Sequence, residues 1–107
     1  MADDKPMEFA HMWGAQVRLP CDMGDDVLRD AIESVREELN NLEATQGDWE
    51  GPAGSEIVER IKRKFDSKWS PSWHVVIGRS YGSFVTHETR QFVSFKINDK
   101  AVMLYKV

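Results

Sequence analysis

Cysteine is almost missing from this chain: Cys21 is the only one among 107 residues, so no disulfide can close within it. A nucleophilic role for Cys21 is disfavoured, because no histidine lies near it in sequence. Long apolar runs are also missing, and none approaches the roughly 20 residues that a membrane-spanning helix needs. The first residues hold no apolar segment of the kind a secretory signal uses, so the expectation is a cytosolic chain with no membrane partner. Positive charge is in deficit. Fourteen Lys and Arg against eighteen Asp and Glu leave a formal charge of −4, and the single basic run, Lys62 to Lys64, reads as a solvated helix face. Nucleic acid, which requires a clustered basic surface, is therefore excluded as the main partner.

Catalytic signatures are missing too. No phosphate-binding glycine loop, metal cluster or catalytic triad is visible. His74 and His87 lack cysteine or carboxylate partners at ligand spacing, and Glu88 beside His87 does not supply them. Ser83 has no nucleophile elbow around it, and a site built on His87, Glu88 and Thr89 has no cofactor motif behind it. The reading is a non-enzyme with no metal, no cofactor and no small-molecule substrate.

What is present suits one α+β domain with one modest core. Hydrophobic residues make up 41% and charged residues 30% of the chain, and so small a domain gains by completing its core through oligomerisation. Residues 1–14 show no periodicity and read as a flexible arm, with Phe9, Met12 and Trp13 as incidental apolar residues; the domain is expected over 15–107. Ala15 to Leu19 reads as a first strand closed by Pro20. A helix is predicted after Asp22, taken as its cap, with Asp25 and Asp26 in the first turn. Val27, Leu28, Ala31, Ile32, Val35, Leu39 and Leu42 make its buried stripe. Gly47, Gly51, Pro52 and Gly54 then mark a loop from Glu43 to Gly54, in which Trp49 is expected to pack back onto the domain. A second helix is predicted from Ser55 to Ser67, buried through Ile57, Val58, Ile61 and Phe65. Strands follow at Trp73 to Gly78, Tyr81 to Thr86, Phe92 to Ile97 and Ala101 to Lys106, with Asn98 and Asp99 turning the last hairpin.

The stretch from Trp69 to Phe92, WSPSWHVVIGRSYGSFVTHETRQF, is the most distinctive. With Phe65, Asp66, the Pro71 to His74 run, Gly78, Arg79, Gly82, Ser83, the Val85 to Thr89 run, Phe92, Phe95 and Lys106, it closely resembles the eight-kilodalton dynein light chain family. Asp22, Met23 and the following helix extend the resemblance over roughly 15–107.

The resemblance implies a symmetric dimer with strand exchange, in which Ser83 to Thr86 cross to the other subunit's sheet and leave two parallel grooves. Extended partner segments would add there as strands, gaining main-chain hydrogen bonds from an open edge and specificity from side-chain pockets. The implied groove residues are Arg79, Tyr81, Gly82, Ser83, Phe84, Val85, Thr86, His87 and Phe92, joined by Ser55, Ser94 and Lys96. The implied dimer interface is His74 with Ser83, Phe84, Val85 and Thr86. A neutral, desolvated His74 facing its symmetry mate would make the dimer dissociate in acid.

Three departures bear on target choice. Ser55 stands where most of the family has lysine, and Ser94 and Lys96 replace two groove tyrosines, so a preference for glutamine-threonine motifs is in question. The implied partners are dynein intermediate chains and a second copy of this chain or a related light chain. The implied location is the cytoplasm, cytoskeleton and dynein complex. An axonemal dynein of cilia or flagella is suggested by the departures, and a general dimerisation hub for non-motor partners is the alternative.

Overall fold

A computed structural model describes residues 8–19, 21, 23–78 and 91–106. Five strands and two helices follow in the order β1 (Glu8–Met12), β2 (Ala15–Leu19), α1 (Asp25–Ala44), α2 (Pro52–Lys68), β3 (Trp73–Gly78), β4 (Gln91–Ile97) and β5 (Lys100–Lys106). The strands form one antiparallel sheet in the spatial order β1-β2-β4-β5-β3. Both helices pack on one face of it, as the α+β reading expects.

Period-2 alternation decides which side chains meet the helices. Val17, Trp73, Val93, Phe95, Ile97, Val102 and Leu104 enter a core with Leu28, Ala31, Ile32, Val35 and Leu39 of α1 and Ile57, Ile61 and Phe65 of α2. The largest packing unit joins α2 to β3: the Phe65 and Trp73 rings meet edge to face, 5.2 Å apart. Beside them the Asp66 carboxylate accepts the Trp73 amide at 2.8 Å and the Lys62 ammonium at 2.6 Å. This closes the connection between helix and strand, and gives the Phe65–Asp66 pair and Trp73 a shared structural purpose.

The amino-terminal reading is corrected over 8–14. Glu8–Met12 form β1 and pair with β2, from Glu8 opposite Leu19 to Met12 opposite Ala15. Trp13 and Gly14 make the connection with φ of 49° and 85°, and positive φ at both central residues is what a two-residue hairpin with the twist of its strands requires. The strand escaped notice because Phe9 and His11 alternate with Ala10 and Met12 without a polar and apolar division.

Three helix boundaries also move. The residue before α1 is Gly24, extended at φ −63° and ψ 154° and without a side-chain cap; the expected cap, Asp22, lies outside the described residues. The helix ends at Ala44, where the Thr45 hydroxyl donates to the Asn41 and Leu42 carbonyls at 3.0 and 3.2 Å. α2 begins at Pro52, earlier than Ser55, because proline is well suited to the first helical turn, whose N–H has no partner within the helix. The loop therefore shortens to 45–51. Trp49 is half-buried against the core, as its packed-back reading expects. The expected strand from Tyr81 to Thr86 lies outside the described residues.

Candidate functional site

β3 is the last strand in the sheet order, so among the described residues nothing pairs with its outer edge. Such an edge presents alternate backbone N–H and C=O groups to whatever extended segment approaches. α2 packs beside β3, and an open cleft of about 320 Å³ lies between the start of the helix and the end of the strand. Trp49, Gly51, Ser55, Val58, Glu59 and Ile77 are prominent in its lining.

Local sequence explains how the cleft is held. Gly54 lets the loop approach the helix: a Cβ there would stand 2.3 Å from the Trp49 carbonyl oxygen and 3.2 Å from the indole. The Trp49 ring receives the Lys100 ammonium at 5.2 Å from its centroid, and Lys100 also meets Asp99 at 3.3 Å. Gly51, the residue that caps α2, offers no side chain, so the first-turn amides have no side-chain acceptor from the cap. Val58 and Ile77 give the cleft apolar walls, while Ser55 and Glu59 give it polar ones.

The candidate residues separate into groups. Ser55 lines the cleft. His74, Phe92, Ser94 and Lys96 lie instead on the sheet face away from the helices, because each alternates with a core residue. His74 is exposed and stacks on Tyr105 with centroids 5.1 Å apart, and Tyr105 lies 6.1 Å from Phe92. Ser94, opposite Met103, is buried, and Lys96, opposite Ala101, is exposed. Arg79, Tyr81, Gly82, Ser83, Phe84, Val85, Thr86 and His87 lie outside the described residues. Sequence reasoning missed Tyr105 and Met103 as members of this face, although the pairing of β3 with β5 and the period of 2 would have placed them. It also missed Trp49 as a cleft wall, for which the flanking glycines were the only signal.

Electrostatics serve the frame more than the cleft. Burial alone would push the Asp30 carboxyl up, but hydrogen bonds from Trp69, Lys68 and Lys64 outweigh it and hold the group below the usual carboxylate range. The Trp69 indole donates to Asp30 at 2.9 Å, and Lys68 and Lys64 reach it at 3.0 and 3.3 Å. Asp66 is likewise lowered, by the hydrogen bond from Lys62 and then by the Trp73 amide. Lys62, Arg63 and Lys64 pair with Asp66, Glu59 and Asp30, so the basic run is spent on partners within the chain. Among the described residues no group of three or more His, Cys, Asp or Glu is placed to hold a metal ion, and no helix is long and apolar enough to cross a membrane.

The fold is thus that of a small α+β domain with two helices on one sheet face and an open edge strand beside the second helix. The profile of the family described as dynein light chain type 1 matches residues 16–107. A relative described as a cytoplasmic dynein light chain, from Emericella nidulans, is 36% identical over 85 residues, which span 79% of this chain and 81% of its own. Among solved structures, the dynein light chain-like domain of the Fasciola hepatica calcium-binding protein FhCaBP2, in a mercury derivative, superposes with a TM-score of 0.67 at 16% identity, covering 90% of this chain and 94% of that one. A native crystal of the same domain gives a TM-score of 0.63 at 19% identity, covering 98% and 94%; identities this low speak for the fold alone. This chain belongs to the dynein light chain family. The family is generally non-catalytic, structural and adaptor in character, which implies dimerisation and partners in dynein complexes.

Proposed function

We propose that this chain is a non-catalytic dynein light chain that works as a homodimer, holding extended segments of dynein intermediate chains by strand addition in two grooves. The observation that carries the reading is the outer edge of β3, unpaired among the described residues, beside the cleft at the start of α2. An extended segment laid along such an edge gains main-chain hydrogen bonds, and one of its side chains can enter the cleft.

The groove is built from two chains. Ser83 to Thr86, with Arg79, Tyr81, Gly82 and His87 around them, supply the strand that crosses to the partner subunit. His74, Phe92 and Ser94 contribute from the sheet face away from the helices, whereas Lys96, which the resemblance also implies as a groove residue, sits toward β1, opposite Gln16 of β2. That face carries Val76, 41% exposed, so a second copy has an apolar side chain to cover. Two grooves on one dimer raise the effective concentration of the second intermediate chain once the first is bound, so weak sites yield a stable assembly. The cytoplasmic description of the Emericella nidulans relative supports a place in the cytoplasm and cytoskeleton.

Affinity capture from a dynein-containing cell extract tests the reading, using the purified chain and a Val58→Lys variant whose fold is checked by circular dichroism. Dynein intermediate chains should be retained by the wild type and lost from the variant. Recovery of axonemal intermediate chains would place the subunit in a cilium or flagellum. Recovery of many unrelated proteins without any dynein subunit would overturn the motor reading in favour of a general hub.

A further inference from the structure

The sheet has a second open end. β1 is its other terminal strand, and among the described residues nothing pairs with its outer edge. β1 precedes the residues 16–107 that match the family profile. Its surroundings differ in charge from the rest of the molecule. Phe9 stands opposite Arg18, and Gln16 stands opposite Lys96, so these side chains share the sheet face away from the helices. Phe9 is 39% exposed, one of two large hydrophobic residues that are exposed among the described residues. The Lys96 ammonium lies 5.8 Å from the Phe9 ring centroid.

Among the described residues, the cations here have no carboxylate partner. Every basic side chain of α2 has a carboxylate partner: Arg60 meets Glu38, Lys62 meets Asp66, Arg63 meets Glu59, and Lys64 and Lys68 meet Asp30. Arg18 and Lys96 have none among the described residues, although the chain as a whole carries a formal charge of −4. An open edge, an exposed aromatic ring and two unneutralised cations therefore coincide at one end of the sheet.

We propose that the outer edge of β1, with Phe9, Arg18 and Lys96, is a second docking surface that receives an extended acidic segment of a protein partner by strand addition. Backbone groups of β1 supply the ladder. Acidic side chains on one face of the added strand meet Arg18 and Lys96, and apolar ones cover Phe9. Because β1 and β3 terminate opposite ends of the sheet, occupation of this edge does not compete with the proposed groove, and one subunit can hold two segments.

Nuclear magnetic resonance titration of the ¹⁵N-labelled full chain tests this, with a synthetic peptide of alternating glutamate and valine as probe. A lysine-valine peptide and oligodeoxythymidylate serve as comparisons. The acidic peptide should shift the amides of Glu8 to Met12 and of Gln16 to Arg18, and bind less well as salt screens the charges. The double variant Arg18→Glu with Lys96→Glu should weaken it by about tenfold or more. Phe9→Ser should weaken it as well, and unchanged α2 and β3 amide shifts in the free variants establish that the fold persists. Shifts confined to the α2 and β3 cleft would overturn the assignment without touching the groove reading. Equal binding of the lysine-valine peptide would overturn it too, and tighter binding of oligodeoxythymidylate would assign the surface to nucleic acid instead.

Discussion

Asp30 shows how one side chain can tie the two helices together. It lies in α1, its side chain 13% exposed, and accepts from Trp69 while pairing with Lys64 and Lys68. Removing the charge leaves donors with weaker partners in a half-dry site, which typically costs about 1–3 kcal/mol. Asp30→Asn should therefore unfold at lower urea at pH 7. The pH dependence follows from the lowered acid constant. A carboxyl held below its unfolded value, near 3.9, contributes stability that is complete above that value and is lost as pH falls through the folded one. The gap between wild type and Asp30→Asn should hold from neutrality down to about pH 5 and close in stronger acid. Urea midpoints that coincide at pH 7 would show that the contacts carry no net stability.

At the scale of the element, the start of α2 is set by a backbone contact that only glycine permits. The Cβ of an alanine at Gly54 would meet the Trp49 carbonyl oxygen at 2.3 Å, and a backbone oxygen cannot move aside as a side-chain tip can. Gly54→Ala should push the 45–51 loop away, destabilise the domain by about 1–3 kcal/mol through overpacking, and shift the Trp49 indole N–H resonance. Neither a lower melting temperature nor a displaced indole would mean that the loop yields freely. The hairpin turn differs, because an added Cβ at Gly14 would meet the tip of the Arg36 side chain at 2.5 Å, which can swing away, and there the φ of 85° is the larger obstacle.

For the whole molecule, the uneven distribution of its layers matters most. Two helices cover one face of the sheet, while the other carries Val76, Met103, Tyr105, His74 and Phe92 with no helix over them among the described residues. If this face closes a homodimer, a carboxylate on it must be desolvated or must hold the copies apart. Val76→Glu should convert the dimer to monomer in sedimentation velocity while the circular dichroism spectrum stays that of the wild type. A variant that still sediments as a dimer would move the interface elsewhere.

Much of this was legible in the sequence, for identifiable reasons. The α1 stripe and the β3 boundaries were plain because each buries one face regularly, at a period of 3.6 for Val27 to Leu39 and of 2 for Trp73 to Ile77. The turn at Asn98, with φ 54°, was plain because asparagine tolerates left-handed backbone. The family was plain because the run from Trp69 to Phe92 is long and specific. Residues 8–14 were not, since a strand whose two faces are alike in polarity pairs only because β2 offers it an edge. Pro52 was misread because proline marks loops and helix starts alike. The sequence by itself determined the two-helix α+β plan and the family, through periodicities and a motif that every residue in them carries locally. Only the tertiary structure decided that Trp49 and Ile77 share a cleft, that β1 and β3 are the terminal strands of the sheet, and that Arg18 and Lys96 flank Phe9 without a carboxylate partner among the described residues. These depend on strand order and register, which join residues far apart in the chain and are written in no single segment of it.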